Sequence, residues 1–248
     1  MSADHFRAMR LQLTHDEFRR LPRNAAYKYE LIGGEAWISP RPRWHHALLD
    51  LHSFPPPPEI DPYQGIELRP LRPADWDELR ALFAAAFRQV QPFGSLDDED
   101  RRDAARQCLE QTRTGGDGPL IEPACFVAVQ GEAGRVCGAI MPTLIPQVDL
   151  SDIDASPRWQ GPPPAGSIEK RLGLAHLTWI FVCPLRAGHG VGSILLAAAV
   201  KALLSMGFEE LATTFLAGND SSMLWHWRNG FRLLGHPGSW RELNKRWK

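Results

Sequence analysis

No apolar run in the 248 residues approaches the roughly 20 that a membrane span needs. Residues 1–18 hold no apolar core of the signal-peptide kind. These two absences give the expectation of a cytoplasmic protein with no membrane partner. An excess charge of one sign is missing too: 28 Lys and Arg stand against 29 Asp and Glu, a formal net charge of -1. A surface built chiefly to hold nucleic acid carries a clear positive excess, so nucleic acid is not expected as a partner. Cysteine is scarce. Cys108, Cys125, Cys137 and Cys183 form no Cys-x-x-Cys pair, which argues against a zinc site. In a reducing compartment they are expected as free thiols, three of them inert within apolar, strand-like runs.

A stiff break divides what is present. The run Phe54-Pro-Pro-Pro-Pro-Glu-Ile-Asp-Pro62 can be neither helix nor central strand, and 54–64 reads as a linker. Residues 1–53 before it read as an appendage. Thr14 with Glu17 three residues on is a capping box that opens a short helix. Residues 27–32 and 35–39 read as a hairpin around Gly33-Gly34. A helix and one hairpin bury too little to be stable alone. The appendage must therefore dock on the rest of the chain or on another chain, a homodimer being one such arrangement.

Residues 65–248 alternate strand and helix. A strand at 65–69 leads to Pro73 and a helix whose apolar positions run from Trp76 to Val90. A polar helix follows at 98–112, then strands at 124–129 and 136–145. The Pro-, Gly- and Asp-rich stretch 149–173 reads as a long loop. After it come a strand at 177–182, a helix at 190–206, a strand at 211–216, a helix at 221–228 and strands at 231–234 and 241–246. The fold class is α/β in the α+β sense.

The sharpest feature is Phe181-Val-Cys-Pro-Leu-Arg-Ala-Gly-His-Gly-Val-Gly-Ser193. An apolar strand enters a glycine-rich turn and a helix starts at once. Gly188, Gly190 and Gly192 allow unusual dihedrals and close approach to a ligand. The helix start adds unpaired N–H groups and a positive dipole end. Together these suit a pyrophosphate. The turn comes late in the chain, after several strands, where a dinucleotide domain would open with it. A second element, Asn219-Asp-Ser-Ser-Met-Leu-Trp-His-Trp-Arg-Asn-Gly-Phe231, follows at a fitting distance.

With these two motifs, residues 66–248 resemble the GCN5-related N-acetyltransferase (GNAT) superfamily. The resemblance implies a mixed, mostly antiparallel central sheet flanked by helices, with acetyl-coenzyme A as cosubstrate. It implies transfer of the acetyl group to a small-molecule or peptide amine by direct attack in a ternary complex. The alternative is a catalytically weak acyl-coenzyme-A-binding module. The family loop Arg/Gln-x-x-Gly-x-Gly/Ala ends here on Gly190 and Gly192, but Ala187 fills its first position and Arg186 stands one residue early. The implied cofactor contacts are Ala187, Gly188, His189, Gly190, Val191, Gly192 and Ser193, the backbone of Phe181 and Val182, and Asn219. His226 stands where the family has a tyrosine acid. It either protonates the leaving thiolate or packs beside Trp225 and Trp227. Candidate bases are His176, Glu169, Asp149, Asp152 and Asp154, each with a bland reading as packing or solvated residue. Trp179 and Phe181 share one face of their strand and either shape the acceptor pocket or fill the core. Separately, residues 14–42 resemble the start of the Uma2 endonuclease family, but Glu30 alone cannot hold a metal.

Overall fold

The computed structural model describes residues 7–24, 27–40, 44–57, 65–131, 134–150, 157–216 and 218–234. The Thr14 hydroxyl accepts the Glu17 amide while the Glu17 carboxylate accepts the Thr14 amide, closing the capping box of α1 (His15–Arg20). The hairpin β2 (Tyr27–Ile32) and β3 (Glu35–Pro40) turns on Gly33 and Gly34, whose φ values of 60° and 86° are the positive ones that a two-residue hairpin favours. A further strand, β1 (Met9–Gln12), pairs with β3 to make a three-stranded sheet. This layer meets the rest of the chain through the Arg7–Asp100 ion pair.

Trp44–Asp50 departs from the sequence reading, which left it in the 1–53 appendage. It is a strand, β4, and it belongs to the main sheet. The remaining elements are β5 (Ile66–Pro70), α2 (Trp76–Ala86), α3 (Asp98–Arg113), β6 (Phe126–Gln130), β7 (Arg135–Ile145), β8 (Leu174–Val182), α4 (Val191–Ser205), β9 (Glu210–Leu216), α5 (Asp220–Arg228) and β10 (Arg232–Leu233). The seven-stranded sheet runs β10-β4-β9-β8-β7-β6-β5. Pairing is antiparallel except between β8 and β9, which α4 connects as a crossover. β4 pairs with β9 along its whole length, from Trp44 opposite Leu216 to Asp50 opposite Glu210. Without it the inner edge of β9 would be bare. Its Ala47 and Leu49 join the core, which is why the segment is held in the sheet rather than with the hairpin.

Each face of this sheet carries helices, giving two cores. On one, Leu195, Leu196, Ala199 and Leu203 of α4 pack on Ile140, Leu177 and Leu211. On the other, Phe83 of α2 and Leu109 of α3 pack on Val127, Met141 and Phe181. α2 begins after a 3₁₀ turn at Pro73–Asp75 and ends at Ala86, four residues short of the expected end. Phe87 and Val90 instead form a turn beside the site. The described part of the long loop, 146–150 and 157–173, holds neither helix nor strand. Residues 58–64 of the proline linker and the expected strand at 241–246 lie outside the described residues.

Candidate active site

β8 leaves the sheet into a 3₁₀ turn at Pro184–Arg186 and then the glycine turn. Gly188 and Gly190 have φ of 81° and 83°, the left-handed region that a side chain opposes. Gly190 is the residue before α4, so the first-turn amides of Val191 and Gly192 have no carbonyl one turn back within the helix. At Gly192 the demand is space: an added Cβ would sit 3.1 Å from Trp225 Nε1. The turn forms one wall of a cleft of about 970 Å³. All the expected site residues line it except Val191, which is buried in the core and can offer only its backbone. Arg186 and Arg228 line it as well. Among the described residues no carboxylate does. Arg186 is held at the mouth, donating from Nε to Gln130 Oε1 at 3.0 Å.

The cleft exists because β8 and β9 part company. Their parallel pairing covers only Ala175–Leu177 against Leu211–Thr213. Beyond it, one edge of β8 faces the cleft, while the other stays paired to β7. The Cys183 amide donates to Cys137 on β7. Successive strand residues turn their peptide groups to opposite edges. Phe181 is therefore turned towards β7, and Ile180 and Val182 are turned to the cleft. The sequence reading had named the backbone of Phe181 with Val182; on this count Ile180 rather than Phe181 turns its peptide group to the cleft. The Phe181 side chain is core, with Phe83 at 5.3 Å between ring centroids, and Trp179 donates its indole N–H to Thr112 Oγ1 at 2.8 Å. Both aromatics also meet Phe87 of the cleft wall, at 6.0 Å from Trp179 and 6.1 Å from Phe181 between ring centroids.

α5 closes the other wall. Asn219 caps it, its Oδ1 accepting the Ser222 amide at 3.1 Å and the Ser221 hydroxyl at 3.0 Å. Only its amide N–H₂ is left to offer a ligand. His226 is 4% exposed. Its Nδ1 lies 2.7 Å from the Ser222 carbonyl, and a carbonyl can only accept. The proton therefore sits on Nδ1, and Nε2 accepts from Thr213 Oγ1 at 3.2 Å. Burial pushes the ring down to about 4, so it is neutral at pH 7.

Of the candidate bases, Asp152 and Asp154 lie outside the described residues, and Asp149 and Glu169 are exposed. His176 is half-buried on β8, bonded to Thr178 and Thr214, and burial lowers it to about 4. The buried thiols are inert: desolvation pushes Cys108 up to about 12 and Cys137 to about 11.

Residues 76–231 match the model of the acetyltransferase (GNAT) family. The chain belongs to that family. Its mixed, mostly antiparallel sheet with helices on both faces is the GNAT fold. Among solved structures, it is similar to a GCN5-related N-acetyltransferase from Sphaerobacter thermophilus, with 17% identity and a TM-score of 0.49. That alignment covers 77% of this chain and 48% of the other, so this chain spans about half of its length. It is also similar to the PaiA N-acetyltransferase of Thermoplasma acidophilum, solved with coenzyme A (14% identity, TM-score 0.43, 67% of this chain and 89% of that one). A GNAT acetyltransferase of Brucella melitensis, solved with acetyl-CoA, gives 20% identity and a TM-score of 0.44 over 69% and 88% of the two chains. A comparison with curated proteins finds no match. The family match begins at Trp76 and so lends no support to the resemblance of 14–42 to Uma2 endonucleases. Among the described residues no group of three or more His, Cys, Asp or Glu could hold a metal, and no helix is long and apolar enough to cross a membrane.

Proposed function

We propose that this GNAT protein transfers the acetyl group of acetyl-CoA to an amine by direct attack in a ternary complex. The observation that carries the reading is the turn from Gly188 to Ser193, which aims the start of a 15-residue helix into the cleft where β8 leaves β9. Backbone amides and the helix dipole favour a pyrophosphate there. Arg186 and Arg228 supply positive charge, offsetting the loss of the family's arginine or glutamine at Ala187. The exposed peptide groups of Ile180 and Val182 pair with the pantetheine arm as an added strand would, and the Asn219 amide donates to it. The acetyl end then lies beside Phe87 and Val90, where an amine attacks the thioester carbon and the thiolate leaves. Water at the mouth of the cleft protonates that thiolate, since His226 serves as a packing residue.

The neutral state of His226 also favours a second reading, a coenzyme-binding GNAT protein with little turnover. Calorimetry with acetyl-CoA tests the site, and release of coenzyme A against amines separates the two readings. The N-terminal layer is proposed to be a docking piece that braces the start of α3 through Asp100.

A further inference from the structure

The cleft is lined from both faces of the sheet. Its glycine turn and α5 lie on the face that carries α4, where Val191, Met223, Trp225 and Phe231 share one core. Ala86 and Phe87, at the end of α2, belong to the opposite face, with Phe83, Leu109 and Trp179. The two sides meet where β8 and β9 part, beyond Leu177 and Thr213. A coenzyme seated at the glycine turn presents its acyl end through that opening, and the amine comes to it from the α2 side.

The wall on that side is built around one aromatic ring. Phe87 is half-buried and lines the cleft. Four rings back it: Phe83 at 4.4 Å between centroids, Phe93 at 5.4 Å, Trp179 at 6.0 Å and Phe181 at 6.1 Å, each tilted or edge-on to it. Phe83, Phe93 and Phe181 are buried, and the Trp179 indole is tied to Thr112. The backbone is held as firmly. The Phe87 amide donates to the Phe83 carbonyl at 3.0 Å, the Val90 amide to the Phe87 carbonyl at 3.1 Å, and the Gly94 amide to the Val90 carbonyl at 2.8 Å. Arg101, buried on α3, donates to the Leu96 carbonyl at 2.9 Å and fixes the far end of the same connection. A ring pinned from behind has little freedom left to lose when a ligand covers its open side.

Beside Phe87 the cleft offers Ala86, Val90 and Ile180, all apolar. The formal charges that line it among the described residues, Arg186 and Arg228, are both positive. A polycationic acceptor meets repulsion there. A saturated apolar amine gains contact area alone. An aromatic amine gains the same area and also an edge-to-face or offset contact with the Phe87 ring.

We propose that the acceptor is a primary amine carrying an aromatic ring on a short alkyl link, and that Phe87 selects it. The proposal rests on the acyl-transfer reading above and names its substrate class. The neutral amine nitrogen bonds to the thioester carbon, the carbon–sulfur bond breaks with its electron pair on the thiolate, and the amine proton passes to water. The acceptor ring meanwhile lies against the open side of Phe87, between Val90 and Ile180. Phe87 touches the acceptor ring and none of the reacting atoms. Its effect is therefore on the choice between acceptors and not on coenzyme binding.

The test compares 2-phenylethylamine with 2-cyclohexylethylamine, which share a chain length and differ in the ring, and adds spermidine as a polycation. Coenzyme A release from acetyl-CoA gives kcat/KM for each, and calorimetry gives the affinity for acetyl-CoA in parallel. The aromatic amine should lead the saturated one by about 3- to 10-fold, the range of one aromatic pair, and spermidine should be the poorest. Phe87→Leu should bring the ratio of the two ring amines to about one with acetyl-CoA affinity unchanged. Phe87→Met serves as the ringless variant if the leucine variant does not fold, and Phe87→Tyr should keep the ratio. A ring that only filled the wall would, on removal, slow both amines alike and leave their ratio as it was. A ratio near one in the wild type, a ratio that survives loss of the Phe87 ring, or a rate with spermidine above both would overturn the proposal while the transferase reading stands. Acetyl-CoA binding with no coenzyme A release to any of the three would overturn the proposal and leave only coenzyme binding. Absence of acetyl-CoA binding would overturn both.

Discussion

The imidazole of His226 lies flat against the ring of Phe215, with centroids 4.7 Å apart and planes 12° from parallel. Phe231 meets its other side edge-on at 5.0 Å. These contacts, with the bonds to Ser222 and Thr213, make the ring part of the joint between α5 and β9. His226→Ala should therefore cost about 2–3 kcal/mol of stability. Turnover per folded molecule should stay near wild type. A loss of a hundredfold or more in kcat, with the fold intact, would restore the role of acid to this histidine.

Stability should depend on pH in a defined window. His176 and His226 are lowered to about 4 in the folded state, from an ordinary 6.5. Between those values the unfolded chain binds protons that the folded chain refuses, so stability rises with pH there. The contribution is complete above about pH 6.5 and is lost as pH falls towards 4, by up to roughly 3 kcal/mol for each ring. Urea midpoints taken through that range should fall with acid, and less so in His226→Gln. A flat profile would mean that neither ring is held neutral by burial.

Gly190→Asp tests the turn. It sets a side chain in a backbone of φ 83° and brings a negative charge to the start of α4. Affinity for acetyl-CoA should drop by more than tenfold, about 1.4 kcal/mol or more, while circular dichroism shows a folded protein. Unchanged affinity would place the phosphates elsewhere.

Two truncations should behave differently. Removal of residues 1–53 takes away β4 and with it Ala47, Leu49 and Leu51 from the core. At roughly 2–5 kcal/mol for each large buried side chain, this exceeds what a domain of ordinary stability can lose, and the product should not fold. Removal of residues 1–40 leaves β4 in place and should leave a folded, coenzyme-binding protein. Equal behaviour of the two would contradict the place of β4 in the sheet.

The parts of this site that were legible in the sequence are contiguous in the chain. Gly188, Gly190 and Gly192 stand within five residues, and their spacing alone signals a phosphate turn before a helix. Asn219 and Phe231 bracket one short helix in the same way. What could not be read depends on pairing between distant residues. His46 meets Thr214 across 168 positions and His176 meets Thr214 across 38. Nothing local in Trp44–Asp50 says that it leaves the hairpin for the main sheet, because its short apolar alternation suits either partner. The choice of Ile180 over Phe181 depends on which edge of β8 is paired, and that is set by β7. At His226 the sequence allows acid or packing residue alike, because the partner that bears on the choice, the Ser222 carbonyl at 2.7 Å from Nδ1, is visible only in the folded helix.

The glycine turn and the parted strands are proposed to hold acetyl-CoA. Isothermal titration of the full-length protein with acetyl-CoA tests it most directly. Saturable one-to-one binding is expected, with a rise in melting temperature as ligand increases and loss of both in Gly190→Asp. No heat of binding and no thermal shift at millimolar acetyl-CoA, from a protein shown to be folded, would contradict it.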